Sequence, residues 1–271
     1  MTETKTSLPL RSVSQLNQYT RCPMAYKLAR IDKVWDRPAA WLPQGTAFHT
    51  VAETYEKRRA EGHEMTLQEA QDLFKEEYAK DIGRLAAETP NFEWWFWSGP
   101  YNGERDIERR YHVGLEQVEK FWNWRNAKGQ TIWVTPDGKP AIELSFNIEL
   151  DGIKVRGYID AVVVVDGKPR VRDYKTGNSP GDDFQLGVYA WAIEELYGVK
   201  IDTGDYFMAG KKGRPAKPTA PYDLTEWTRE KISERFREVE EGIQAGKFDP
   251  LPESDKCQFC SVSYHCPVFS T

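Results

Sequence analysis

Long apolar runs are missing from the 271-residue chain: no stretch reaches the eighteen or so residues that a membrane-crossing helix requires. The opening segment, Met1 to Pro9, is polar and has no apolar centre of the kind a secretory signal carries. Both absences point to a cytoplasmic protein with no membrane contact. Cysteine is scarce, with only Cys22, Cys257, Cys260 and Cys266, and a reducing compartment disfavours joining them as disulfides. Three of them fall in a C-x2-C-x5-C cluster, a spacing suited to a metal ion or an iron–sulfur group. The Walker phosphate-loop pattern is absent, which excludes a nucleotide-driven motor of that design. Nothing pairs a serine or cysteine nucleophile with a base. Positive charge is not in excess either. The net charge of −5 does not announce a nucleic-acid binder, although local basic patches can still make one. Internal repeats and low-complexity linkers are also lacking.

What is present suits a globular chain, with 39% hydrophobic and 29% charged residues. The length allows one or two domains. The order of elements is read as a single domain over residues 1–271: a mostly helical portion over 1–130, a sheet core over 131–209, and a basic loop, a helix and the cysteine cluster over 210–271. The expected class is α/β, a central mixed sheet flanked by helices.

The stretch Val171-Arg172-Asp173-Tyr174-Lys175-Thr176-Gly177 organises the rest. It follows an apolar run, Gly157 to Val165, and an Asp166-Gly167 turn that signals a two-residue hairpin loop. Such a loop fixes register, so Val165 faces Lys168 and Asp160 faces Asp173. A second turn, Asp151-Gly152, puts Glu143 opposite Asp160 by the same count. Residues directly opposite share a face with Cβ atoms about 5 Å apart, and Lys175 shares the face of Asp173. Three carboxylates then lie in a row across three strands with a lysine beside them. Like charges so placed destabilise a sheet, and a hard divalent cation would relieve them. Ile142, Leu144, Phe146, Ile148, Ile153, Val155, Ile159, Ala161 and Val163 are read as the opposite, core-facing side.

Elsewhere, Ser12 or Ser14 can cap a helix through Leu16 and Tyr19 that Pro23 breaks, leaving Cys22 at the break. Helix is expected to resume over Met24 to Ile31, with a loop from Asp36 to Pro43 and a helix from Gln44 to Arg59 that carries His49. Thr66-Leu67-Gln68-Glu69 is a capping box opening a helix to about Ala87. Phe92-Glu93-Trp94-Trp95-Phe96-Trp97 is a dense aromatic patch, either a stacking platform for bases or a packed loop, with packing favoured. Arg105 to Asn126 reads as helix, with Ile107, Tyr111, Leu115, Val118 and Trp122 on one side. Strands are expected over Thr131 to Thr135, Ala141 to Leu150, Ile153 to Val165, Arg170 to Lys175 and Ile201 to Met208. Helices are expected over Asp183 to Tyr197 and from a Thr225 cap to Ala245. Gly210 to Lys217 is a basic loop without an acid, suited to phosphates or simply solvated.

By residue type the acidic row suits phosphodiester hydrolysis. Carboxylates hold Mg2+ or Mn2+, the ion lowers the pKa of bound water, and a lysine offsets developing charge. At these residues the chain resembles the PD-(D/E)XK nuclease superfamily, and within it the RecB-type branch. Gly157-Tyr158-Ile159-Asp160 and Asp173-Tyr174-Lys175-Thr176 resemble two of its motifs. Ile159 stands where the superfamily's nominal motif has proline. Gln185 with Tyr189 is similar to its Q-x3-Y helix, and Gly45-Thr46-Ala47-Phe48-His49 to the helix that supplies a metal-binding histidine. The resemblance implies that His49, Asp160, Asp173 and the Tyr174 carbonyl bind metal. It implies a catalytic Lys175, supporting or DNA-facing roles for Gln185 and Tyr189, and a role for Glu143 as an upstream acid.

Ser14-x4-Tyr19-x2-Cys22-Pro23 and Cys257-x2-Cys260-x5-Cys266-Pro267 are similar to the iron–sulfur nucleases, which include AddB-type subunits and the small exonucleases associated with CRISPR spacer acquisition. That likeness implies a [4Fe–4S] cluster on Cys22, Cys257, Cys260 and Cys266, forming a C-terminal cap. Zinc on the same thiolates is the alternative, with His265 as a further possible ligand. His63 and His112 belong to no constellation. The resemblance implies a metal-dependent exonuclease of single-stranded DNA with 5′→3′ polarity. Two rival readings stand beside it: a DNA-end-binding module with vestigial catalysis, and a subunit of a recombination or spacer-acquisition complex.

Overall fold

The computed structural model describes residues 9–269, so the polar opening stretch lies outside the described residues except for Pro9. Three antiparallel strands form the centre: β3 (Ile142–Leu150), β4 (Ile153–Val165) and β5 (Lys168–Lys175). Both turns have the left-handed backbone that Asp-Gly favours, with φ of 47° and 84° at Asp151 and Gly152, and 52° and 76° at Asp166 and Gly167. They set the expected register. Val165 pairs with Lys168 and Ala161 with Arg172, so one further step places Asp160 against Asp173. Ile142 pairs with Ala161 and Leu144 with Ile159, bracketing Glu143 and Asp160.

From β5 the chain crosses through α6 (Asp183–Tyr197) to β6 (Thr203–Met208), which runs parallel to β5. Short strands complete the mixed sheet: β1 (Leu10–Arg11) parallel to β4, β2 (Thr131–Ile132) against β4, and β7 (Lys217–Pro218) and β8 (Tyr222–Asp223) against β6. The small β1 had no signal of its own in the sequence.

Helices cover both faces. On one side, α1 (Val13–Arg21), α6 and α7 (Arg229–Gln244) close a core around Leu16, Phe146, Val155, Ile159, Phe184 and Phe236. On the other, α3 (Trp41–Ala60), α4 (Leu67–Glu88) and α5 (Gly103–Ala127) pack Phe48, Phe74 and Phe121 against Ala161, Val163 and Phe207. Among the described residues no helix is long and apolar enough to cross a membrane.

This double cover corrects the reading of one core face and one acidic face. Ile159 and Val162 enter the first core while Ala161 and Val163 enter the second. Residues on one face of a regular strand lie an even number apart, so the alternation slips by one at Asp160. Leu144 is only partly buried. The acids themselves are buried, Asp160 at 8% and Asp173 at 2% exposure.

The helix starts follow local chemistry. Ser12 Oγ accepts from the Gln15 amide and α1 stops at Cys22, whose backbone is extended before Pro23 opens α2 (Pro23–Tyr26). The expected single helix over Met24 to Ile31 instead passes from α2 into a π-helical turn over Lys27–Ile31. Pro43, read as loop, lies in the first turn of α3, where its missing N–H is not needed. Thr66 and Glu69 form the capping box of α4. The cap of α7 is Thr228, not Thr225; Thr225 is held in a turn by the Asp223 carboxylate, at 2.9 Å from its amide. Strand β2 is shorter than read and stops before Pro136.

Candidate active site

Helix α3 aims Phe48 into the second core and His49 toward the sheet. His49 Nδ1 lies 3.3 Å from Asp160 Oδ2. The same oxygen accepts the Tyr174 amide at 2.7 Å, which locks the carboxylate across β4 and β5. Glu143 joins them from β3 with φ of 46°. A left-handed backbone is unfavourable for a glutamate and clusters at functional positions; here it interrupts the ladder between two regular pairs. One donor atom each from His49, Glu143 and Asp160 lie within 4.8 Å of one another. Gly157, three residues before Asp160, leaves room for the Phe146 ring, which a Cβ would meet at 2.7 Å.

Asp173 sits beside this trio. Its Oδ1 accepts Gln185 Nε2 at 2.9 Å. Its Oδ2 is buried and receives no directed hydrogen bond, although Lys175 Nζ stands 2.7 Å away as its ion-pair partner. Gln185 Nε2 also reaches the Tyr189 hydroxyl at 2.7 Å, one turn along α6, and Gln185 Oε1 accepts from Lys175 at 3.3 Å. Gln185 therefore positions both the acid and the lysine. The Tyr174 ring packs in the second core against Phe121 and Phe207.

The electrostatics suit a cation. Burial, then the Asp160 charge, pushes the Glu143 carboxyl up to about 7. Burial and Asp160 likewise hold Asp173 well above the usual carboxylate range, against the pull of Lys175. Burial disfavours the His49 imidazolium, yet Asp160, Asp173 and Glu143 outweigh it and raise His49 to about 9. Oxygen and imidazole donors that repel one another, with one buried carboxylate oxygen lacking a directed bond, fit a hard or borderline divalent ion.

A pH dependence follows. Raised folded-state values for Glu143 and Asp173 mean that the ion-free fold retains protons the unfolded chain releases, so its stability falls as pH rises from about 4 through about 7. A bound ion must displace those protons and the one on His49, so its apparent affinity climbs about tenfold per pH unit for each proton displaced. The increase in melting temperature on adding Mn2+, followed by calorimetry, should be larger at pH 8 than at pH 6. Equal increases at both would show that the ion binds elsewhere.

The four cysteines are free and partly buried. Cys22, at the α1–α2 junction, and Cys257, Cys260 and Cys266 line one cavity of about 110 Å3. Among the described residues no three of their sulfurs lie within 4.8 Å of one another. His265 lies outside that cavity lining.

Sequence reasoning missed a buried polar chain beside the site. Arg110 donates to Gln44 Oε1 at 3.1 Å, Gln44 to Gln117 at 2.5 Å, and Gln117 to the Thr176 carbonyl at 3.0 Å. It ties α3 and α5 to the end of the strand bearing Lys175, and only the tertiary structure shows it. The aromatic patch divides: Trp95 and Phe96 are buried, Trp94 and Trp97 exposed.

The chain is 73% identical to the Gene 69 protein of Mycobacterium phage L5, over 99% of this chain and all of that one. It is 73% identical to the Gene 69 protein of Mycobacterium phage D29, over 98% and 99%. A solved structure titled "Crystal structure of SSO0001" matches with a TM-score of 0.37 and 15% identity, over 70% of this chain and 82% of that one, a likeness too slight to argue from. The PD-(D/E)XK nuclease profile matches residues 11–267, which takes in the cysteines at both ends as well as His49, Glu143, Asp160, Asp173 and Lys175. With a match of that extent, the chain belongs to the PD-(D/E)XK nuclease superfamily.

Proposed function

We propose that this chain is a single-domain, Mg2+- or Mn2+-dependent exonuclease of single-stranded DNA, of the RecB-type branch, with 5′→3′ polarity and a structural [4Fe–4S] cluster on Cys22, Cys257, Cys260 and Cys266. The observation that carries the nuclease reading is the Asp173–Lys175 pair at 2.7 Å, set beside the His49, Glu143 and Asp160 donors. His49, Asp160, Asp173 and the Tyr174 carbonyl hold the ion, and Glu143 adds an acid whose protonation changes near neutrality. The bound ion supplies an acidified water and charge neutralisation at the phosphate. Lys175 orients the attacking water and offsets charge on the phosphate oxygens. Gln185, braced by Tyr189, holds Asp173 and Lys175 side by side. An imidazole in the donor set favours Mn2+ over Mg2+.

Cys22, Cys257, Cys260 and Cys266 line one cavity, which supports a shared group on the four thiolates, and the likeness of their spacing to the iron–sulfur nucleases favours the cluster over zinc. Polarity and branch rest on the likeness of the motifs to the small iron–sulfur exonucleases. A cluster tying Cys22 to the C-terminal cysteines closes a path over the sheet that admits a free end more readily than a circle.

The test is digestion of linear and circular single strands and of duplex DNA with EDTA, Mg2+ or Mn2+. Linear strands should disappear at least tenfold faster than circles, with Mn2+ best and EDTA abolishing the reaction. Equal rates on circles would identify an endonuclease. Binding of ends without cleavage would identify an end-recognition module.

A further inference from the structure

The loop after β6 leaves the sheet at the candidate site. Lys175 pairs with Met208 across β5 and β6, and the Ala209 amide donates to the Lys175 carbonyl at 2.8 Å. Lys211 follows two residues later, at most about 7 Å of extended chain beyond Ala209. The loop is built to a fixed shape. Gly210 has φ of 68°, and a Cβ there would strike the Arg214 and Pro215 carbonyl oxygens at 2.6 and 2.7 Å. Lys212 and Gly213 are left-handed as well. The Arg214 amide closes a turn onto the Lys211 carbonyl at 3.1 Å, and Lys120, paired with Glu116, donates to the Arg214 carbonyl at 2.8 Å.

This loop converges with α5 on like charge. Burial, then the fields of Arg110, Arg109, Lys212 and Arg214, lowers the pKa of Lys211. The nearby acid, Asp106, is already engaged by Arg109 and Arg110. Among the described residues, Lys211, Lys212, Arg214 and Lys217 have no carboxylate within ion-pair distance. Lys211, Arg214 and Lys217 line a cavity of about 330 Å3 that is also lined by Gly177 and Asn178, directly after Lys175 and Thr176. Repelling cations held by a rigid loop around a cavity call for an anion, and such a site beside a nuclease centre faces the substrate backbone.

We propose that Lys211, Arg214 and Lys217 form a subsite for an internal phosphodiester of the single strand, next to the bond being cut. The proposal rests on the nuclease reading for its substrate but not for its test. Binding of a fluorescent single-stranded oligonucleotide is measured by anisotropy in Ca2+, which replaces the catalytic ion, across a range of salt concentrations. For Lys211→Ala/Arg214→Ala the dissociation constant should rise on the order of tenfold or more. The slope of log affinity against log salt should shrink by about 0.7 for the lost phosphate contact. Lys212→Glu, at an exposed position of the same turn, should shift both in the same direction while leaving the circular dichroism spectrum unchanged. Lys200→Ala/Lys231→Ala, equal in charge lost but on other surfaces, should change neither.

Oligonucleotides with a 5′-phosphate and a 5′-hydroxyl should lose affinity equally. A loss confined to the 5′-phosphorylated strand would overturn the internal subsite in favour of end recognition. Wild-type affinity and slope in the double variant, or no binding by the wild type, would also overturn it. If the wild type cuts nothing with any ion and the double variant still loses binding, the nuclease reading fails and the subsite stands. If the wild type cuts and the variant binds and cuts as well as it does, the subsite fails and the nuclease stands.

Discussion

Asp173→Ala and Lys175→Ala will each slow DNA cleavage by about a thousandfold, the scale of losing one preorganised charge at a developing anion. The two losses separate by mechanism. Asp173 is a proposed ion ligand whose Oδ2 has the Lys175 ammonium at 2.7 Å as its partner; removing it weakens ion binding, so excess Mn2+ restores part of the rate. Lys175 is not an ion ligand, so no concentration of Mn2+ restores its variant. Stability moves the other way. Asp173 is buried beside Asp160 and destabilises the ion-free protein, so Asp173→Ala should melt at or above the wild-type temperature without ion. Single-turnover digestion with an Mn2+ titration, beside thermal melts, checks each of these outcomes. A Lys175→Ala protein that cuts at the wild-type rate would remove the lysine from the chemistry.

The row of acids was legible because Asp-Gly turns leave little freedom of register: Asp151-Gly152 and Asp166-Gly167 both adopt the expected left-handed backbone. What the count could not show is the distortion that makes the row a site. Glu143 takes a positive φ and the alternation slips at Asp160, features of strand packing between two helical layers that no period-2 pattern encodes. His49 was reached only through resemblance, since a histidine on an amphipathic helix has no sheet partner until α3 is docked. The same limit hid Arg172 and Asp205, which pair across β5 and β6 at 2.5 Å, and Glu56 with Arg125, buried between α3 and α5. Each is an opposite-charge pair distant in sequence. Thr225 and Thr228 both have cap chemistry, and Thr228 takes the cap because its hydroxyl accepts the Lys231 amide while the Asp223 carboxylate holds Thr225 in a turn. The aromatic patch could be read for burial but not for which rings are buried; the bridge from Phe96 to Ala39 decides that.

Cys22→Ala should unfold the protein near physiological temperature while sparing the chemistry below its melting point. The cavity at Cys22, Cys257, Cys260 and Cys266 joins the α1–α2 junction to the last described segment of the chain. Ligating all four closes a loop of nearly the whole domain, and by analogy with disulfides this stabilises the fold by on the order of 5 kcal/mol. The segment is otherwise held by the buried Val262, by Phe259 against Trp41 and Phe96, by Tyr264 against Trp35, and by two hydrogen bonds, Arg21 to the Lys256 carbonyl at 3.1 Å and the Arg37 amide to the Ser261 carbonyl at 2.8 Å. Metal binding coupled to folding adds its own free energy, so the melting temperature should fall by about 10 °C or more. The proposed hard-ion site draws on other residues, His49, Glu143, Asp160 and Asp173, with different donor chemistry. Below the melting point, Cys22→Ala should therefore cut DNA at a rate within a few-fold of wild type, and lose activity in step with its circular dichroism. Loss of cleavage with the fold intact would give the cysteines a part in the reaction. Iron and sulfide analysis of anaerobically purified wild type should find four of each per chain, with visible absorbance from thiolate-ligated iron. One zinc and no iron would replace the cluster by a different ion, and the same fall in melting temperature would still mark the cysteines as the staple.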